Sequence, residues 1–172
     1  SQAHIPATMT IAPLPNVNPD GATRYVKRVT DVFSPELLNG KKIGIFEHSS
    51  AGRDIYQGLF EALGAEVIAL ERTDTFVPID TEAVGDEDKQ KALAWSAEYG
   101  FDMIYSTDGD GDRPLLSDEH GHWLRGDIVG LLTAQALGIQ ALAVPVSCNT
   151  AIEASGSFTA VSRTQIGSPY VI

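Results

Sequence analysis

Short apolar runs and amphipathic stretches alternate along most of this chain. Residues 1–22 carry Pro6, Pro13, Pro15 and Pro19 without sustained periodicity and read as an extended lead-in. Asp20 is placed to cap a helix in which Tyr25, Val29, Val32 and Phe33 recur at helical spacing. Ser34-Pro35 begins one helical turn through Leu37 and Leu38, which Asn39-Gly40 stops. Ile43 to Phe46 then predicts a strand. A small polar loop, His48 to Gly52, leads to a helix with Ile55, Tyr56, Leu59, Phe60 and Leu63 on one face, ending at Gly64. Glu66 to Leu70 predicts a second strand, residues 73–84 a long loop, and Asp86 to Gly100 a helix whose acidic start suits the positive end of its dipole. Met103 to Ser106 predicts a third strand. This rhythm indicates βαβ units and a parallel sheet.

The pattern then changes. Arg113 to Ser117 reads as a strand, Asp118-Glu119-His120-Gly121 as a hairpin turn, and His122 to Leu124 as the return. Gly126-Asp127 opens a helix with Ile128, Val129, Leu131, Leu132 and Ala136 apolar, ending at Gly138. Ala141 to Val146 reads as a strand buried on both faces, Thr150 to Ala154 as a short helix and Phe158 to Arg163 as a further strand. These last elements start a second α/β unit without enough partners to close a core. The C-terminal part is therefore expected to dock on the first unit, to self-associate through open strand edges, or to be labile to proteases.

Composition narrows the function classes. The 172 residues hold 12 Lys+Arg against 23 Asp+Glu, a formal net charge of −11. Such acidity disfavours nucleic acid and anionic membrane surfaces as partners, yet a small phosphorylated ligand needs only a local positive site or a metal. No apolar run approaches the ~20 residues of a membrane span, and Ser1 to Thr10 lacks the basic start and apolar centre of a secretory signal. One cysteine, Cys148, cannot form an internal disulfide, so a cytoplasmic location is expected.

The sharpest chemical feature is Asp108-Gly109-Asp110-Gly111-Asp112-Arg113, directly after a predicted strand. Extended backbone would set three carboxylates side by side and repelling. The glycines let the chain curl so that the oxygens converge, and a hard divalent cation, magnesium or calcium, is the natural neutraliser. The plainer reading is a solvated acidic turn. An EF-hand is excluded on backbone grounds: Asp110, Asp112 and Glu119 fall at its acidic positions, but Arg113 stands where glycine is required and a strand precedes the loop. Arg113 is either a structural counter-ion or a phosphate ligand beside the metal. The His48 to Arg53 loop lacks the glycine patterns of nucleotide sites and reads as an ordinary strand–helix connection. Ser147-Cys148-Asn149 has no nucleophile elbow around it, and Asn149 reads as a helix cap.

Ser106-Thr107-Asp108-Gly109-Asp110-Gly111-Asp112-Arg113, the following strand, Asp118-Glu119-His120-Gly121 and Arg125-Gly126-Asp127 together resemble the α-D-phosphohexomutases, the bacterial phosphomannomutase/phosphoglucomutase family. Arg163-Thr164-Gln165-Ile166-Gly167-Ser168 also resembles the family's third-domain Arg-Thr-Lys-Val-Gly loop. The likeness covers roughly residues 23–172. It implies a mixed, mostly parallel sheet flanked by helices over residues 23–124 (the family's second domain, with the metal loop). Residues 125–172 would then be a truncated third domain. It further implies Mg2+ held by Asp108, Asp110 and Asp112, phosphate contact or site support from Arg113, and a mannose or glucose phosphate as substrate. In such enzymes a phosphoserine in the first domain exchanges phosphoryl groups with hexose 1- or 6-phosphate through a bisphosphate intermediate.

Departures from the family pattern set the remaining expectations. No Ser-His-Asn nucleophile motif occurs in the chain, nor the Gly-Glu-Met-Ser-Gly sugar loop or the Arg-Ser-Gly-Thr phosphate loop, and Gln165 stands where many members have lysine. The chain is thus expected to be a middle portion of a phosphohexomutase, inactive alone. A noncatalytic metal- or sugar-phosphate-binding α/β module is the alternative. A haloacid-dehalogenase-like phosphatase ranks last, because the first strand ends in Glu47-His48 and not in Asp-x-Asp.

Overall fold

A computed structural model describes residues 13, 15, 16 and 18–171. Pro6 and the Ser1 to Thr10 stretch lie outside the described residues. A five-stranded sheet forms the centre, built from β1 (Lys42–His48), β2 (Glu66–Arg72), β3 (Met103–Thr107), β4 (Pro114–Ser117) and β5 (Trp123–Leu124) in the order β2-β1-β3-β4-β5. β1 pairs in parallel with β2 (Ile45 opposite Ala69) and with β3 (Ile45 opposite Tyr105). β3–β4 and β4–β5 are antiparallel.

The period-2 alternation of β1 builds a core on each face. Ile43 and Ile45 point to one side, where they pack with Tyr56 of α2 (Tyr56–Ala62), Tyr25 of α1 (Asp20–Thr30), Phe60 and Tyr105. Phe46 points to the other, with Leu70, Ala92, Phe101, Ile104, Leu115 and Trp95, under α3 (Asp86–Tyr99). Ile45 and Ile104 are fully buried, each contributing about 1.5–3 kcal/mol. Helices cover both faces of a mixed sheet that is parallel over β2-β1-β3 and antiparallel over β3-β4-β5.

Several local expectations are corrected. Asp20 is the first residue of α1 and does not cap it; Asn18 Oδ1 accepts its N–H instead. α1 stops at Thr30, and Val32 and Phe33 lie beyond it, exposed, because their N–H groups turn back to Val29 O. Residues 34–40 form successive turns and no helix, with i→i+3 bonds such as Leu37 N to Ser34 O. α3 buries Ala92 and Ser96 and packs Trp95 and Tyr99, while Ala94 and Ala97 are exposed. The predicted hairpin is present: Asp118 Oδ1 accepts the N–H groups of His120 (3.0 Å) and His122 (2.8 Å), and Trp123 Nε1 donates to Asp88 O on α3.

The C-terminal elements form their own pair. α4 (Gly126–Ala136) buries Val129, Leu131 and Ala134. β6 (Ala141–Pro145) and β7 (Ala160–Thr164) pair in parallel as a two-stranded sheet, joined through α5 (Ala151–Ala154). β6 does not have both faces buried: its residues alternate exposed and half-buried, and Val146 beyond it is 63% exposed. Two strands with one short helix cannot cover a second face. Among the described residues, no helix is long and apolar enough to cross a membrane.

Candidate metal centre

The topology selects where a ligand can enter. From β1 the chain passes through α2 to β2 on one side of β1, then returns through α3 to β3 on the other. The carboxyl ends of β1 and β3 lie side by side where the connections change direction, the position at which such sheets place ligands. The loop after β1 is His48 to Arg53, and the loop after β3 is Asp108 to Arg113.

The β3 loop curls as its glycines predict. Gly111 lies in the left-handed region, φ 81°. One carboxylate oxygen from each of Asp108, Asp110 and Asp112 comes within 4.8 Å of the others. Asp108 is the anchor: its Oδ1 accepts the N–H groups of Gly111 (3.1 Å) and Arg113 (3.2 Å), and its N–H donates to Arg113 O. Oδ2 remains for a ligand. Burial works to raise the Asp108 carboxyl, yet those backbone bonds and its neighbours hold it below the ordinary aspartate value. Asp112 is raised, chiefly by the charge of Asp110 and then by Asp108. Three carboxylates thus converge with the Arg113 guanidinium beside them and not among them, and that donor set fits a hard cation. Magnesium bonds of ~2.1 Å place octahedral oxygens about 3 Å apart when cis and about 4.2 Å when trans, both inside that 4.8 Å limit.

Arg113 stands beside the cluster without closing it. Its Nε lies 3.9 Å from Asp108 Oδ2 and 3.8 Å from Asp112 Oδ1, with the side chain 64% exposed. The guanidinium is thus free to meet an incoming anion.

The His48 to Arg53 loop is more than a connection. His48 is buried with φ 32°, and its Nε2 lies 2.9 Å from Thr107 O. Since a carbonyl only accepts, Nε2 carries the proton. Burial pushes the imidazole below its usual value while the Thr107 bond works the other way. Ser50 Oγ lies 2.9 Å from Thr107 Oγ1, and Ala51 N donates to Gly109 O at 2.9 Å. Arg53 binds the carbonyls of Ser49 and Ser50 and reaches Asp74. Reading the sequence missed this role; the signal was a run of small polar residues directly after the central strand.

The C-terminal motif behaves differently. Arg163 is consumed locally: Nε and Nη2 form a bidentate pair with Glu153 (2.7 and 2.6 Å), while Nη1 donates to Pro145 O and Cys148 O. Asn149 Oδ1 accepts Ala151 N–H, although Thr150 occupies the N-cap position of α5. Cys148 is half-buried, and burial raises its thiol.

No family model matches the chain. A phosphomannomutase from Salmonella muenchen is 57% identical over 151 residues, covering 88% of this chain and 32% of that protein. A phosphomannomutase from Sinorhizobium fredii is 43% identical over 148 residues, covering 86% and 31% respectively. The crystal structure of a phosphoglucomutase/phosphomannomutase family protein from Burkholderia thailandensis shares the fold. Its TM-score is 0.70 at 21% identity, over 85% of this chain and 33% of that one. The chain spans about a third of the length of the curated relatives it matches. An Asp-Gly-Asp-Gly-Asp-Arg loop at the switch point of this sheet, shared fold and relatives of that identity lead to one conclusion: the chain belongs to the α-D-phosphohexomutase family.

Proposed function

We propose that this chain supplies the magnesium-holding portion of a phosphomannomutase/phosphoglucomutase, which interconverts hexose 1-phosphate and 6-phosphate through a bisphosphate and a phosphoserine. The observation that carries the reading is the convergence of Asp108, Asp110 and Asp112 at the carboxyl end of β3. Residues 23–124 serve as the metal-binding domain and residues 125–172 as part of the next. Bound magnesium supplies charge neutralisation for a transferring phosphoryl group. Asp108, oriented by the Gly111 and Arg113 N–H groups, holds the ion with Asp110 and Asp112. Arg113 offers its exposed guanidinium to phosphate oxygens, for which its planar fork is suited.

No Ser-His-Asn motif occurs in these 172 residues, so the phosphoryl-carrying serine belongs to another segment of the parent enzyme. The same fact favours the second reading, a metal- or sugar-phosphate-binding module without turnover. Calorimetric titration of the chain with MgCl2 should show binding that Asp110→Asn abolishes. A coupled assay with mannose 1-phosphate or glucose 1-phosphate should show only background. Equal binding by both proteins would remove the ligand assignment. Robust turnover by the chain alone would show that one of its own residues is the nucleophile.

A further inference from the structure

The hydrogen bonds around Thr107 have a definite direction. The Thr107 hydroxyl lies 2.8 Å from Asp108 O, a pure acceptor, so its proton is committed there. In the 2.9 Å contact between Ser50 Oγ and Thr107 Oγ1, Ser50 must then be the donor. Ser50 Oγ in turn accepts the N–H of Gly52 at 3.2 Å. A one-way chain results: Gly52 N–H to Ser50, Ser50 to Thr107, Thr107 to the Asp108 carbonyl. Ser50 and Thr107 are each 1% exposed, so water does not compete for these bonds. On either side, His48 Nε2 holds Thr107 O and Ala51 N–H holds Gly109 O. All three consecutive carbonyls at the base of the aspartate loop are thereby engaged: those of Thr107 and Gly109 by His48 and Ala51, and that of Asp108 by the Thr107 hydroxyl, which Ser50 orients.

Those carbonyls bear on ion choice. Calcium takes six to eight oxygens and recruits backbone carbonyls readily; magnesium keeps several waters and needs one or two carboxylates plus phosphate oxygens. With these three carbonyls engaged, the cation meets the carboxylates of Asp108, Asp110 and Asp112 without backbone oxygens from residues 107–109. We infer that Ser50 and Thr107, supported by His48, are positioning residues that bias the aspartate loop toward magnesium and against calcium by keeping the neighbouring carbonyls engaged. This inference rests on the metal reading above and adds to it the part played by the β1 loop.

The test compares wild type, Thr107→Val, Thr107→Ser and Ser50→Ala in the full 172-residue chain. Each is titrated calorimetrically with MgCl2 and with CaCl2, and the metal-free melting curve is recorded in parallel. Thr107→Val deletes the hydroxyl that holds the Asp108 carbonyl, at nearly constant volume. Ser50→Ala deletes the donor upstream without touching the aspartate loop, and keeps the question answerable should the valine variant not fold. Groups that orient metal ligands commonly change affinity by about 10–100-fold. Thr107→Val should therefore lose about tenfold in magnesium affinity and lose less for calcium, so that the magnesium-to-calcium ratio falls. Ser50→Ala should shift that ratio in the same direction, and Thr107→Ser should retain the wild-type ratio. An unchanged ratio in Thr107→Val and Ser50→Ala, with or without a lower melting temperature, overturns the inference and leaves the metal reading intact. Wild type that binds no magnesium, or binds it as well after Asp110→Asn, overturns the metal reading and the inference together.

Discussion

Two glycines in the aspartate loop differ by one backbone angle, and substituting each by alanine separates curl from crowding. Gly111 sits at φ 81°, where an L side chain is strained, and a Cβ there would lie 2.9 Å from Tyr56 Oη. Tyr56 is 4% exposed, so its ring has little room to retreat. The left-handed conformation costs an alanine about 1–2 kcal/mol. With the contact to a buried ring added, Gly111→Ala should destabilise by about 2 kcal/mol. For a chain of this size that lowers the melting temperature by roughly 4–8 °C. Gly109 lies outside the left-handed region, and a Cβ there would meet only Phe76 Cε2 at 3.3 Å. Phe76 is 72% exposed and can move aside. Gly109→Ala should therefore stay within about 0.5 kcal/mol of wild type, even stabilising slightly by restricting the unfolded chain. Thermal unfolding followed by far-UV circular dichroism, with and without MgCl2, reads both variants. If Gly111→Ala keeps its backbone, only stability falls. If it relaxes, the Gly111 N–H to Asp108 bond breaks and magnesium stabilisation falls as well. Equal melting temperatures for the two alanine variants would refute the assignment of loop shape to Gly111.

Two further outcomes are expected. Burial works to raise the Asp118 carboxyl, but its bonds from the His122 N–H and ring and from the His120 N–H outweigh burial and hold it below the ordinary value. Its contribution to stability is thus complete above the ordinary aspartate value near ~4 and is lost as pH falls through the lower folded value. Unfolding curves between pH 6 and pH 2 should show part of the acid-side loss disappear in Asp118→Asn; an identical pH profile would disprove the hairpin's role. Arg163→Met should free the residue 145–149 turn from α5, because Glu153 and three carbonyls lose their donor. Hydrogen exchange should then quicken in β6 and β7 and stay unchanged in β1 and β3; uniform exchange would contradict a local tie.

Local pattern was sufficient wherever one residue's neighbours in sequence are also its neighbours in space. The strand positions, the acidic start of α3, its end at Gly100 and the 118–122 hairpin are of this kind, since alternation, dipole, left-handed glycine and Asx turn all act within a few residues. The aspartate loop was legible for the same reason: alternating Asp and Gly must curl or repel. Only the tertiary structure decided the rest. The apolar Val32, Phe33 and Leu37 read as helix faces but remain exposed, because among the described residues no element packs over them. Arg163 read as the start of a loop resembling the family's Arg-Thr-Lys-Val-Gly motif; the structure adds that Glu153, ten residues earlier, takes its guanidinium. The β1 loop read as a connector because its partners, Thr107 and Gly109, lie 57 or more residues away and meet it only when β1 and β3 pair. Composition and periodicity record which groups could seek one another. Which of them meet depends on sheet order, and that is set by the burial of whole strands and not by any single motif.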